Sequence, residues 1–236
     1  MKPIYFLTYT LLLFASSVHS ALITLAAESS WPPFAKKDGS GISKTIIERA
    51  YSYSGHTVKF VVVPYARALS MAKQGSVDGA FNVTKQASTE ADFSFGEKAL
   101  LKVSASFYYP QGSKLSYTTS DMIPRGTSIA TIIGYEYGDK YEKNRHRFDE
   151  VRVATQAQIV NLLKAGRVDM AIMFDEVASY TLEQMQLPVE YIKKGHINHT
   201  SDIYVAFNKS LANSRIIKDL DVGLKAIEQE SAYITP

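Results

Sequence analysis

Chemistry-bearing side chains recur along this chain just after short apolar runs, where open α/β sheets hold small molecules at the carboxyl ends of their strands. Glu28 follows Leu22–Ala27 and either holds a ligand cation or caps a turn. Trp31, the only tryptophan, stands in Trp31-Pro32-Pro33-Phe34 and offers a flat face to an apolar or cationic group, or else lids the packing beneath it. Tyr65 and Arg67 open a helical stretch, where Arg67 either forks onto an anion or makes a surface ion pair. Asn82, Thr84 and Lys85 leave the next apolar run with donors for a bound solute. Tyr135 and Tyr137 sit in Gly134-Tyr135-Glu136-Tyr137-Gly138, a strand-to-helix turn whose free backbone N–H groups suit a carboxylate or phosphate. Asp175 either reaches a ligand cation or caps its own helix. His196 and His199, three apart without a carboxylate at helical spacing, read as solvated loop histidines and not as a metal pair. No His-Glu-x-x-His or Gly-x-Ser-x-Gly stands in the chain, and there is no cysteine, which excludes thiol catalysis and Cys-ligated metal. No catalytic residue, metal or cofactor is expected.

These residues need a scaffold, and the scaffold is written twice. Leu69–Phe81 (LSMAKQGSVDGAF) and Val160–Ile172 (VNLLKAGRVDMAI) share Lys, Gly, Val, Asp and Ala at matching places. In each a helix ends at a glycine able to take positive φ, the chain reverses, and an apolar strand leaves. Asp78 and Asp169 fall at the strand starts and read as structural. Flanking elements match as well. In the first half, the apolar spacing Ile42, Ile46, Ile47, Ala50, Tyr51 predicts a helix with Ser43 as its cap and Gly55 as its stop. The run Val58–Val63 predicts a strand buried on both faces. In the second half, strands are expected over Ser128–Ile133 and Val151–Ala154. Helices are expected over Tyr137–Arg145, over Gln156–Ala165 capped by Thr155, and over Glu176–Gln186 capped by Asp175. Lys102–Pro110 and Asp202–Asn208 are strand-like segments flanking the second half, with Tyr108 and Tyr109 packing at the crossing. The fold class is α/β: lobe 1 from residues 21–106 plus 204–236, lobe 2 from 107–203, a two-strand hinge between them, and a last helix docked on lobe 1 by Ile216, Ile217, Leu220, Leu224 and Ile227.

Lys2 followed by the apolar run Ile4–Ala15, with small residues before Ala21, reads as an export signal over residues 1–20. The run is too short for a good membrane span, and no cysteine follows it for lipid attachment. The formal charge of +3 over 236 residues, with 26 basic and 23 acidic side chains, gives no clustered basic footprint for nucleic acid. A periplasmic, monomeric protein is expected, since a chain this long folds without disulfides.

In this order the motifs resemble the type-two periplasmic solute-binding proteins, the extracellular family 3 best known from amino-acid ABC transporters. The resemblance rests on Trp31-Pro32-Pro33-Phe34, Gly75–Gly79, Asn82-Val83-Thr84, Asp92-Phe93-Ser94 and Gly166–Asp169. Within the family, Val63–Ala68 and Gly134–Gly138 resemble a subgroup. The resemblance implies a type II two-lobe fold that closes on a small polar or amino-acid-like ligand, with an ABC permease or a membrane sensor as a separate partner chain. It also implies an Arg for the α-carboxylate and an Asp for the α-ammonium, where this chain has Ala87 and Phe174, with Asp175 one place late. Losing such a charge-assisted contact costs about 2–3 kcal/mol, which argues against a standard α-amino acid. The alternative on the same scaffold is an enzyme similar to the periplasmic cyclohexadienyl dehydratases, with Glu28 or Asp175 as acid or base.

Overall fold

A computed structural model describes residues 20–234; the export signal read over residues 1–20 therefore lies outside it, apart from Ser20. The first half runs β1 (Leu22–Glu28), α1 (Ile42–Ser52), β2 (Thr57–Val63), α2 (Tyr65–Lys73) and β3 (Gly79–Thr84), followed by α3 (Ala87–Asp92) and β4 (Phe93–Phe95). The long strand β5 (Leu101–Pro110) leads into β6 (Ser128–Ile132), α4 (Asp139–Asn144), β7 (Asp149–Val153), α5 (Gln156–Lys164), β8 (Met170–Phe174) and α6 (Asp175–Gln184). The chain returns through β9 (Ile192–Asn208) and ends in α7 (Arg215–Ile234).

The strands form one sheet in the order β2-β1-β3-β9-β5-β8-β6-β7, with β4 added against β9. The order is the same from either end. β1 is parallel to β2 and β3, and β3 meets β9 antiparallel; β6 is parallel to β7 and β8, and β8 meets β5 antiparallel. The duplicated sequence unit is thus a duplicated β-α-β-α-β frame, with β9 closing the first copy and β5 the second. Gly75 and Gly166 take φ of 73° and 60° after α2 and α5, as the turn requires. Asp78 accepts a hydrogen bond from the Thr24 N–H at 2.7 Å, and Asp169 one from the Ser128 N–H at 2.8 Å, so each aspartate ties the start of its strand to the start of the neighbouring strand.

Only β5 and β9 run through both halves. Their pairing extends from Leu101↔Ile203 to Pro110↔Ile192, and its register shifts on either side of Ser106, next to where β8 joins at Ala105↔Phe174. Bulges of this kind bend and twist a strand locally. α1 and α7 cover one face of the first half with Ile47, Ala50, Tyr51, Ile217, Leu220 and Leu224 against Ile23, Leu25 and Ala27, while α2 packs Ala68 and Ala72 on the face bearing Ala26 and Ala80. The last helix docks as expected.

Four local expectations are corrected. β2 is the sheet's edge strand and half exposed, because an apolar run in a parallel pair needs a neighbour on both sides to be buried throughout. Ser43 lies inside α1, whose cap position is Gly41, and its hydroxyl is used across the fold instead. Asp175 is in the first turn of α6 and makes no side-chain cap bond. His196 and His199 belong to β9, since the ladder with β5 extends that strand well upstream of Asp202. Thr155 caps α5 as expected, accepting from the Gln158 N–H.

Candidate functional site

The strands of the two halves point their carboxyl ends at each other, and the residues leaving those ends line one small cavity: Glu28, Trp31, Tyr65, Asn82, Thr84, Tyr135, Glu136 and Phe174. The side-chain alternation of β1 explains the first of these. Ile23, Leu25 and Ala27 face α1 and α7, so Ala26 and Glu28 fall on the α2 side, where Tyr65 begins the helix. Asn82 sits where the β3–β9 register shifts and takes φ of 66°, a bulge that redirects its side chain. Its Oδ1 accepts from Ser43 Oγ at 2.5 Å, which fixes the amide and leaves Nδ2 as the free end.

Two tyrosine–glutamate pairs cross the interface in opposite directions. Tyr135, after β6, donates its hydroxyl to Glu28 at the end of β1. Tyr65, from α2, donates to Glu136 Oε2 at 2.7 Å. Each half supplies one tyrosine and one carboxylate. Between them Trp31 meets Phe174 edge-on at 5.2 Å, Tyr65 meets Tyr135 at 4.8 Å, and Lys36 lies 5.4 Å over the Tyr180 ring. At Gly134 a Cβ would come within 3.0 Å of the Ala66 Cβ, and the residue takes φ of 84°, so a glycine is needed for this approach. The enclosed space is about 10 Å³, the lower limit for one water. A solute of several heavy atoms enters only when the halves part.

The electrostatics of the cavity are one-sided. Burial pushes the Glu28 carboxyl up to about 8, with the Tyr135 hydrogen bond lowering it and the charge of Glu136 raising it further. Burial likewise raises Glu136 to about 7, against the Tyr65 hydrogen bond that lowers it. None of the lining residues is basic. The Arg145 guanidinium, beside the Tyr135–Glu136 loop, is held by Glu142 at 2.6 Å and Glu150 at 2.7 Å, and it fixes the loop by donating to the Tyr135 carbonyl at 3.2 Å. Trp31 Nε1 and Asn82 Nδ2 are buried and lack a hydrogen-bond partner.

Six of the ten expected site residues come together: Glu28, Trp31, Tyr65, Asn82, Thr84 and Tyr135. Four do not. Arg67 is exposed, because the buried face of α2 carries Tyr65, Ala68 and Ala72 and position 67 falls off it. Lys85 lies at the outer mouth, over the Tyr204 ring at 5.3 Å and 3.9 Å from Glu90. Tyr137 turns into the second half, where its hydroxyl accepts from the Ile132 N–H at 2.8 Å. Asp175 accepts from Ser106 and Tyr108 and pairs with Lys194 at 2.8 Å. In the Gly134–Gly138 turn, the Tyr135 N–H is taken by the Ile132 carbonyl at 3.2 Å and the Tyr137 N–H by Glu142 Oε1 at 2.9 Å. Glu136 and Phe174 complete the cavity. Glu136 lay unremarked between the two tyrosines of its motif, and the signal that points to it is a carboxylate in the turn that leaves an apolar strand. His199, not solvated, rests 5.8 Å from the Phe174 ring, and burial lowers it to about 4. Among the described residues no group of three or more His, Asp or Glu side chains could hold a metal ion.

No family model matches the chain, and no curated protein matches it by sequence. Solved structures do. A histidine kinase sensor domain similar to periplasmic binding proteins aligns with a TM-score of 0.76 at 16% identity, covering 91% of this chain and 93% of that one. The fold is that of the two-lobe periplasmic binding proteins. A truncated ArgBP from T. maritima in its arginine-bound form aligns at 0.72 with 14% identity over 87% of this chain and 96% of that one. The ancestral amino-acid-binding protein AncCDT-1, a precursor of cyclohexadienyl dehydratase, aligns at 0.71 with 13% identity over 90% and 92%.

Proposed function

We propose that the chain is an exported solute-binding protein of extracellular family 3 type, which captures a small ligand between its lobes without chemistry and presents the closed form to a membrane partner, a permease or a sensor. The observation that carries this reading is the crossed pair of tyrosine–glutamate bonds. Contacts that exist only when the lobes meet make closure sensitive to what lies between them, and a ligand shifts the equilibrium by its differential affinity for the closed form. Within the described residues no helix is long and apolar enough to cross a membrane.

Thermal-shift screening of amino acids, amines, organic acids, sugars and short peptides tests the reading. Ligand at about 100 times its Kd adds about 2.7 kcal/mol, a rise of roughly 5–10 °C for a chain of this size. A raised Tm together with a smaller radius of gyration in solution scattering is expected. A second reading is favoured by one observation, the carboxylate of Glu28 held near neutrality beside a tyrosine: such a group suits acid–base work on a carboxylate-elimination substrate. Loss of prephenate or arogenate absorbance on incubation, abolished in Glu28→Gln, would replace capture with catalysis.

A further inference from the structure

Resting on the capture reading, we infer that the ligand is a small organic cation that carries a neutral hydrogen-bond acceptor and no free carboxylate: an amine, guanidine or quaternary ammonium, not an amino acid. Three independent features of the cavity select this class.

The first is charge. Glu28, only 2% exposed, and Glu136 face one cavity from opposite lobes, and no lysine or arginine lines it. A ligand carboxylate would enter a dry space holding two acidic groups and no countercharge, which costs several kcal/mol. A cation instead receives two acceptors already in place. It takes over the positions of the Tyr135 and Tyr65 hydroxyls once the lobes part to admit it.

The second is the aromatic wall. Trp31, Tyr65, Tyr135 and Phe174 meet edge to face, at interplanar angles of 88° for Trp31–Phe174 and 76° for Tyr65–Tyr135. Rings set at right angles present faces in more than one direction, the arrangement that attracts a desolvated cation.

The third is the pair of donors without partners. Trp31 Nε1 and Asn82 Nδ2 belong to residues 1% and 5% exposed that line this cavity, and the Ser43 hydroxyl fixes the Asn82 amide so that its N–H₂ end is the free one. Buried donors cost free energy until an acceptor reaches them. A hydroxyl, ether or amide oxygen on the ligand satisfies them without bringing a negative charge next to Glu28.

Binding by this route is linked to protons. The groups facing Glu28 are Tyr135 and Glu136 from the loop after β6, Tyr65 from α2, and the neutral Asn82 and Thr84 from β3. Those facing Glu136 are Tyr65, Tyr137, Glu142 and the already paired Arg145. His199 stands behind Phe174 on β9. With no basic side chain lining the cavity, and Arg145 already paired with Glu142 and Glu150, the carboxylates hold protons near neutrality in the closed form and a bound cation displaces them.

The test uses the mature chain and matched probes differing by one carboxylate: agmatine against arginine, histamine against histidine, ethanolamine against serine, choline against glycine betaine. Isothermal titration in two buffers of different ionisation enthalpy reads affinity and proton release together. At least one decarboxylated probe is expected to bind ten-fold or more tighter than its partner, to release protons at pH 7, and to gain about ten-fold in affinity between pH 6 and 8. Glu28→Gln should lose at least ten-fold in that affinity and flatten the pH dependence; Glu136→Gln is the second variant if Glu28→Gln fails to fold. Equal or tighter binding of the carboxylate members, or of simple organic anions, overturns the cation assignment and leaves capture intact. Failure of every amine, amino acid, anion and sugar to bind overturns both.

Discussion

Two pairs of carboxylates occupy opposite ends of neighbouring parallel strands, and they live in different chemistry. At the amino ends, Asp78 and Asp169 accept backbone N–H groups at 2.7 and 2.8 Å, and Asp169 also accepts the Ser128 hydroxyl at 2.7 Å. At the carboxyl ends, Glu28 and Glu136 each receive one tyrosine hydroxyl from the other lobe and no cation, and burial drives both toward the neutral form. The first pair is bonded within its own lobe and holds the frame whatever the lobes do. The second has its side-chain hydrogen bonds only across the gap. Carboxylates saturated locally mark structure, and carboxylates left to a distant partner mark the place where something else is received.

The largest effect that would sharpen this contrast is Asp78→Ala. It removes a charge-assisted bond joining the starts of β3 and β1, and should cost about 2–3 kcal/mol in urea unfolding. The next test is Glu28→Gln. A folded value near 8 lies above the unfolded 4.5, so the wild-type protein is most stable below pH 4.5 and loses stability as pH rises through 8. The glutamine variant should fall less steeply across that window, keeping only the loss due to Glu136, and be more stable than wild type by about 2 kcal/mol at pH 8. A variant no more stable at pH 8 would break the comparison. Asp169→Ala, with its bonds in a more exposed position, should cost about 1–2 kcal/mol in the same urea unfolding. The smallest effect is expected at His199. Its folded value near 4 lies below the usual 6.5, so its contribution is complete above pH 6.5 and is lost as pH falls toward 4. His199→Gln should remove about 1 kcal/mol of that acid-side loss, seen as a shallower fall of Tm between pH 6.5 and 4.5.

The frame was legible because it is made of local signals repeated in order: a helix with apolar spacing, a glycine, an aspartate, an apolar strand. Six cavity residues were legible for a related reason, since each lies at or shortly beyond the carboxyl end of a strand or opens the helix after one. What escaped depends on partners far along the chain. β9 begins at Ile192 because β5 supplies hydrogen bonds to a polar stretch from Lys193 to Ser201 that has no strand pattern of its own. Glu136 is defined by Tyr65, seventy-one positions away. Arg67 was misplaced although the information was at hand: Tyr65, Ala68 and Ala72 already set the inward face of α2, and position 67 lies outside it.

The return strand also has a bearing on the order in which this molecule can be assembled. β3 is completed on its far side by residues 203–207, and α7 packs against α1 beside the sheet. A nascent or threading chain therefore carries an open sheet edge and a bare apolar helix face for the whole time its second half is being delivered. Contacts that span more than a hundred residues form slowly and late. The first half to emerge is the last to be finished, and a chain that stops short of residue 203 should be cut by protease throughout its first ninety residues even where its second half resists.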